Sequence, residues 1–390
     1  MNFFEKMDFY EWTHYLFFNY LQYTIGGEKN LEILQLEKVQ QLYNLSKKQS
    51  LLGISFIGLY KLKMKGLIVD PLLFSQWYGL YASLIKRNEI VDEDCRWATQ
   101  YFDGKGFDSC VLKGQGLNLL YQKTDEQLVR TAGDVDIWLM PKGINGKNKD
   151  NRSNEHSLSK RRIDIFRFCS SIIPNCHTVY HHLDFPIEGK DIEVHFTPSW
   201  MFCPWHNSRL QKFFEQEWDN RVLTEKGFYV PSIDFNLVYV LVHIYRHIFD
   251  EGVGLRQLLD YYFVLKNSTE EQRLKAYAFL QTIGLNRLTK GVMWIMQEAF
   301  AMESSFLLCP PDERIGKKIL SEVMIGGNFG HSDERYKHKN NSITNNLGAE
   351  NLLLHVQRNF KYLWYFPTEV LWSVPFHTWH YLWRKKNGWR

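Results

Sequence analysis

Two aspartates two residues apart, Asp134 and Asp136, have the types and spacing best suited to chemistry on phosphates. They stand in residues 133–140, where apolar side chains recur at every second position as in a β-strand. Alternate residues of a strand project from one face, so both carboxylates point to the same side. Carboxylates placed in this way suit Mg²⁺ or Mn²⁺, held together with the phosphates of a nucleotide. The pair predicts metal-dependent phosphoryl or nucleotidyl transfer.

The competing interpretation of this pair is the solvated face of an edge strand, because the tripeptide Asp-x-Asp is common. Three features count against that interpretation. A glycine turn and a helix-compatible segment precede the pair, and an acidic strand follows it. In addition, aspartate is disfavoured in strands unless something requires it.

A third carboxylate is expected from residues 191–196, which alternate as a second strand. On such a strand Asp191, Glu193 and His195 share one face. We favour Glu193 as the third acid, with Asp191 as the alternate. This residue would bind the catalytic metal or accept the proton of the attacking group.

A glycine turn upstream is the candidate phosphate-binding element, because it lies between the predicted strand at 108–112 and a helix-compatible segment at 117–122. The turn contains Lys113, Gly114, Gln115 and Gly116. Glycines let backbone N–H groups approach a phosphate, and a helix N-terminus adds the positive end of its dipole. Arg130, four residues before Asp134, is a candidate for bidentate phosphate contact, with a surface arginine as the alternative.

Two groups of polar residues lie outside these segments. His243, His247 and Glu251 recur at helical spacing, which could hold a metal but better fits packed residues or the lining of a substrate cleft. Arg256 and Asp260 stand four residues apart, which is typical of a helix-stabilising pair.

A second histidine group, His177, His181 and His182, also raises the question of metal binding. If His181 and His182 are adjacent on a strand, they point to opposite faces. At most one of them would then join any single site, and we expect no metal site here.

The elements around the acids predict an α+β fold, with a small mixed β-sheet flanked by helical N- and C-terminal regions. Helical periodicity dominates residues 1–100 and returns in residues 231–390. Residues 101–230 hold the short strands, and we expect them to form the catalytic core. The Trp-rich basic tail, about 355–390, could pack as an aromatic helical cap or lie on a membrane surface.

The composition is that of an ordinary packed protein. Of the 390 residues, 45% are hydrophobic and 23% are charged. The net charge of +4 does not indicate nucleic acid as a partner. The six cysteines form no Cys-x-x-Cys pair, so a structural zinc site is not indicated. The sequence lacks signal-peptide features and a bilayer-spanning apolar run, so we expect a cytoplasmic protein.

Three segments together resemble a known family. They are Val111-Leu-Lys-Gly114, Arg130-Thr-Ala-Gly-Asp-Val-Asp-Ile137 and Ile192-Glu-Val-His195. The pattern is similar to the uncharacterised nucleotidyltransferase family of the polymerase-β-like superfamily, and the resemblance covers most of residues 30–270. It implies that Gly114 to Gly116 form the phosphate turn, that Asp134 and Asp136 hold the metal, and that Glu193 is the third acid. It also implies that the segment 243–260 borders the active site.

The resulting hypothesis is an enzyme that moves an NMP from an NTP to an unidentified acceptor hydroxyl, with Mg²⁺ or Mn²⁺ as cofactor and pyrophosphate as product. The candidate cleft residues are His195, His243, His247, Arg256 and Asp260. Two alternatives stay open: a non-catalytic nucleotide-binding or partner-binding protein that keeps the fold, and a toxin-type enzyme that modifies tRNA or protein. The sequence indicates neither the acceptor, the preferred NTP nor the oligomeric state.

Overall fold

The computed structural model describes residues 9–26, 36–122, 128–143, 158–174, 176–250, 252–330 and 359–387. The helices in these ranges are α1 (Phe9–Thr24), α2 (Leu36–Lys48), α3 (Leu52–Met64), α4 (Pro71–Gly104), α5 (Lys113–Tyr121), α6 (Leu158–Ile172), α7 (Pro204–Glu217), α8 (Ile233–Phe249), α9 (Leu255–Lys266), α10 (Glu270–Thr282), α11 (Asn286–Phe300), α12 (Glu313–Gly326) and α13 (Pro367–Asn387). The strands are β1 (Phe107–Val111), β2 (Val135–Pro141), β3 (His182–Asp184), β4 (Ile192–His195), β5 (Val222–Leu223) and β6 (Tyr229–Val230). The expected α+β fold is confirmed.

Four strands form the principal sheet, in the order β1-β2-β4-β3. β1 and β2 are antiparallel, β2 and β4 are parallel, and β4 and β3 are antiparallel, so the sheet is mixed as expected. Parallel neighbours require a crossover connection. α6 lies in the connection from β2 to β4 and packs against β2. This crossover brings two acidic strands together although they are far apart in the sequence.

The two faces of β2 enter different cores, as the alternation predicts. Val135, Ile137 and Leu139 pack in a cluster with the second half of α4 and with α6. Trp138 and Met140 pack in a larger cluster with the C-terminal helices. Asp136 lies on the latter face, among groups that the C-terminal helices contribute.

The N-terminal and C-terminal helical regions share one core. Gln22 donates from Nε2 to the carbonyl of Glu298 at 2.8 Å, and Gln49 donates to that of Val323 at 3.1 Å. α1 packs against both α3 and α11. α4 also runs without a break through residue 100, where the sequence suggested a boundary. The helices before and after the sheet therefore form a single frame around it.

The Trp-rich tail forms α13, and its first turns are packed. Val370 lies in the large core, and the buried Glu369 accepts from Arg246 at 3.0 Å and from the backbone N–H of Phe202. Trp379 further along leaves 48% of its surface exposed. The first half of α13 is therefore packed against the core, as an aromatic helical cap would be. None of the helices in the described ranges combines the length and the apolar character that a bilayer crossing requires.

Candidate active site

The predicted acids lie at the centre of the sheet. β2 and β4 pair in parallel with Asp136 directly opposite Glu193, and Asp184 of β3 lies opposite Glu193 on its other side. Asp134 lies immediately before β2, and Asp191 lies immediately before β4. At this point the N–H of Val135 donates to the carbonyl of Asp191. Directly opposed residues in a sheet lie about 5 Å apart. The two predicted acidic strands therefore present their carboxylates side by side.

Asp136 is buried and carries two cationic or hydrogen-bonding partners. Lys113 Nζ lies 2.8 Å from its Oδ1, and His195 Nε2 lies 2.9 Å from the same oxygen. Burial opposes ionisation of Asp136, but the Lys113 ammonium and the His195 ring outweigh it and hold the pKa of this carboxyl below its usual range. Asp136 is thus a carboxylate at neutral pH.

The pKa of Glu193 is shifted in the opposite direction. Burial, together with the nearby Asp136 and Asp134, raises the pKa of Glu193 to about 7, although His195 and Lys113 act against the shift. The cluster therefore holds more acidic groups than the local positive charge can keep ionised. This oxygen-rich and under-compensated set fits a divalent cation such as Mg²⁺ or Mn²⁺.

Asp191, the alternate third acid, is exposed, whereas Glu193 is only partly so. Partial burial and then the carboxylate of Asp134 raise the pKa of Asp191. Asp191 therefore faces Asp134 at the solvent edge, while Glu193 lies over Asp136. Each acid thus lies beside one member of the predicted metal pair, and Glu193 is the less exposed of the two.

The glycine turn lies close to the backbone of the segment that carries Asp134. A Cβ placed on Gly114 would lie 3.7 Å from the carbonyl oxygen of Asp134. Lys113 and Gly114, the first two residues of α5, both have positive φ angles, 21° and 32°. A lysine in that region is strained by about 1–3 kcal/mol, and such strain clusters at ligand-binding sites. At Gly116 a Cβ would lie 2.8 Å from the carbonyl oxygen of Val111, so only glycine fits between β1 and α5.

Gln115 points away from the acids, toward α4. Its side-chain amide donates to the carbonyl of Asn88 at 3.1 Å and to Asp92 at 2.7 Å. The Asn88 amide in turn donates to the carbonyl of Arg130 at 2.8 Å, while its oxygen accepts from Asn118. A single buried asparagine of α4 thus joins the glycine turn to the segment that leads into Asp134.

Arg130 makes the bidentate contact expected of it, but with a carboxylate. Its Nε and Nη2 donate to the two oxygens of Asp260 at 2.7 and 2.8 Å, and Tyr121 donates its hydroxyl to the same group. Arg130 and Asp260 are both buried. Because its guanidinium group is bound to Asp260, Arg130 holds the segment before Asp134 against α9. Its contact with a phosphate remains a prediction that these distances do not support.

Arg256 is drawn to the same segment. It donates to the carbonyl of Thr131 at 3.2 Å, and Arg130 donates to that oxygen at 3.1 Å. Burial, followed by the charge of Arg130, lowers the pKa of Arg256 to about 10. Arg256 therefore reaches the same residues 130–131 as Arg130, while its pairing with Asp260 within α9 stays a prediction.

One face of α8 borders the acids. Ser232 caps this helix by accepting from the N–H of Phe235. His243 and His247 lie 3.0 Å apart through their Nε2 atoms, and burial followed by His247 lowers the pKa of His243. Glu251, the third member of the predicted spacing, lies outside the described residues.

Tyr239 is a site residue that the sequence reasoning missed. Burial raises its pKa, and the charges that act on it are those of Lys113, Asp136 and Glu193. Its hydroxyl has no hydrogen-bond partner within the described part of the chain. Tyr239 precedes His243 by one helical turn, so helical spacing extended backwards from His243 would have found it.

The expectation that His181 and His182 cannot join one site is wrong. β3 begins only at His182, and residues 180–181 form a bend, so strand alternation does not apply to this pair. Nitrogen atoms of His181, His182 and His195 all lie within 4.8 Å of one another. His177 lies apart from them, 3.2 Å from Asp184, and is more than half exposed.

Comparison with known proteins adds one match. A family model described as uncharacterised nucleotidyltransferase matches residues 36–301, which run from α2 to just past α11. The matched part includes the glycine turn, the acidic strands and the bordering faces of α8 and α9. No curated protein and no solved structure matches the chain.

Proposed function

This chain belongs to the uncharacterised nucleotidyltransferase family, and on that premise we propose that it transfers an NMP from an NTP to an acceptor hydroxyl, with release of pyrophosphate. The observation that carries this proposal is the register of β2 with β4, which sets Glu193 directly beside Asp136. If Asp134 and Asp136 only formed the solvated face of an edge strand, nothing would require a second acidic strand to pair with β2 and to place its own acid opposite theirs.

Asp134, Asp136 and Glu193 would hold Mg²⁺ or Mn²⁺. Both contacts that the described residues make with the Asp136 side chain fall on Oδ1, so Oδ2 is available to a cation. When bound, the cation supplies Lewis-acid stabilisation of the charge on the reacting phosphate. The raised pKa of Glu193 supports this assignment, because a nearby positive charge would favour its ionised form.

The nucleotide would lie over the turn at 113–116. Gly114, near the start of α5, lies close to the carbonyl of Asp134 just before β2, and the backbone N–H groups of this turn would bind the phosphates. Lys113 reaches Asp136 in this structure and keeps 21% of its side chain exposed. Its ammonium can move from that carboxylate to a phosphate oxygen when the nucleotide binds.

In the transfer step, the acceptor oxygen forms a bond to the α-phosphorus as the bond from that phosphorus to the bridging oxygen of pyrophosphate breaks. The electron pair of the broken bond leaves with pyrophosphate. The hydroxyl proton passes to the Glu193 carboxylate, which the bound cation would keep in the ionised form that a general base requires. The acceptor would enter past Tyr239, His243 and His247.

The division of labour along the chain follows from these positions. Residues 101–230 carry the acids and the turn, and the regions 1–100 and 231–390 frame them. Arg130, Arg256 and Asp260 have a positioning role, because their mutual contacts set the path of the chain into Asp134.

The central test is a transfer assay with α-labelled NTPs. The purified protein is offered each of the four NTPs, with small molecules, RNA and cell protein as acceptors. We expect label to move to one class of acceptor only when Mg²⁺ or Mn²⁺ is present, and chelation to abolish it. Binding of NTP without transfer to any acceptor would favour the non-catalytic alternative. Transfer to tRNA or protein would identify the toxin-type alternative.

Two isosteric changes decide which acid is the third one. We expect Glu193→Gln to lower the transfer rate by about 10²–10⁴-fold, the usual contribution of a positioned general base. Asp191→Asn, its matched control two residues earlier on the same face, should leave the rate near that of the wild type. Initial rates with saturating metal and NTP give the comparison. A larger loss in Asp191→Asn than in Glu193→Gln would exchange the two roles.

A further inference from the structure

Three histidine rings converge at the edge of the acidic sheet. His182 Nδ1 lies 3.0 Å from His181 Nε2. One ring nitrogen from each of His181, His182 and His195 lies within 4.8 Å of the other two. Three nitrogens, each from a different side chain, are therefore already close to one another.

The separations match those around a small metal ion. In a tetrahedral site with Zn–N bonds of about 2.0–2.1 Å, neighbouring ligand atoms lie about 3.3 Å apart. The 3.0 Å separation of His181 Nε2 and His182 Nδ1 is close to that value, and a His195 nitrogen lies within 4.8 Å of a ligand nitrogen of each of these two rings.

An unpartnered ring nitrogen gives independent support. His195 Nδ1 is buried and has no hydrogen-bond partner within the described part of the chain, while the Nε2 of the same ring contacts Asp136. His195 as a residue is only 1% exposed. A buried polar atom without a partner costs about 1–3 kcal/mol, which a bound ligand would offset.

We infer that His181, His182 and His195 bind a second cation, a first-row transition ion of the Zn²⁺ class, through one ring nitrogen each. Imidazole nitrogen prefers such ions, whereas Mg²⁺ prefers oxygen. The Nε2 of His195 contacts the carboxylate of Asp136, the kind of partner that orients a histidine bound to metal through its other ring nitrogen. The site adjoins the proposed nucleotide centre through His195 but does not depend on transfer.

The test uses Co²⁺ alone as a spectroscopic probe, on full-length protein stripped of metal. Tetrahedral nitrogen coordination should produce visible absorption bands at stoichiometric Co²⁺. We expect Zn²⁺ to abolish these bands and a large excess of Mg²⁺ to leave them in place. His181→Ala and His182→Ala should each weaken Co²⁺ binding by at least about tenfold, the lower end of the loss seen even for residues behind the ligands.

His206→Ala is the matched control, because His206 lies in α7 and takes no part in the cluster. It should bind Co²⁺ as the wild type does. The Asp134→Ala variant should also retain the bands, which separates this site from the nucleotide centre even if transfer fails. Displacement of Co²⁺ from the wild type by Mg²⁺, or unchanged binding in His182→Ala, would overturn the inference. The wild-type competition needs no variant and so does not depend on the variants folding.

Discussion

Replacement of Asp134 by alanine is expected to abolish nucleotidyl transfer and to leave the chain folded. The change removes an oxygen ligand of the proposed metal, and a metal supplies several kcal/mol of stabilisation to a charged transition state. The rate should fall by on the order of 10³-fold or more. No described residue makes a hydrogen bond or ion pair with the Asp134 side chain, and it is partly exposed, so little stability depends on it. Pyrophosphate release and far-UV circular dichroism measure the two effects.

Asp136→Asn is the companion variant, because Asp136 is buried against Lys113 and His195 and alanine would leave the Lys113 charge without its partner. The isosteric amide should remove activity to a similar extent. Asp108→Asn on β1 is the control, since Asp108 pairs with Met140 away from the acids. Transfer at the wild-type rate by Asp134→Ala, with any acceptor, would contradict the proposed metal site.

Loss of Asp260 is expected to be the most destabilising single change in the frame of the site. Asp260→Ala would leave the guanidinium of Arg130 buried without its bidentate partner, with Arg256 close by as a second buried cation. Breaking a buried pair in this way costs about 3–5 kcal/mol, because the remaining charge is uncompensated. Tyr121 would lose the acceptor of its hydroxyl as well. Urea unfolding followed by circular dichroism gives the free energy.

A double variant separates charge from packing. Arg130→Met combined with Asp260→Leu removes both charges and keeps the apolar volume, so it should recover much of the lost stability. Glu271→Ala breaks the exposed Glu271–Lys275 pair and serves as the control that should leave the unfolding midpoint unchanged. If Asp260→Ala were as stable as the wild type but failed to bind NTP, Arg130 and Asp260 would instead act on the nucleotide.

The site could be predicted as far as local patterns reach. Strand alternation is a property of the backbone, so the shared face of Asp134 and Asp136, and that of Glu193 and His195, follow from their spacing. The same rule failed at His181, because where a strand begins depends on the neighbouring strand that pairs with it. The spacing of Arg256 and Asp260 predicted that these two residues pair with each other. The bonds described for Asp260 are those to Arg130 and Tyr121.

Local sequence patterns were enough to predict which acids share a face, which glycines form the turn, and that helices surround a small sheet. Which of these residues lie next to one another followed only from the folded chain. The parallel register that sets Asp136 beside Glu193, and the ion pair that joins Arg130 to Asp260, link residues far apart in the chain. Such long-range contacts form when apolar faces from distant elements pack into a common core. Which faces pack together depends on the whole chain, so no local sequence pattern predicts it.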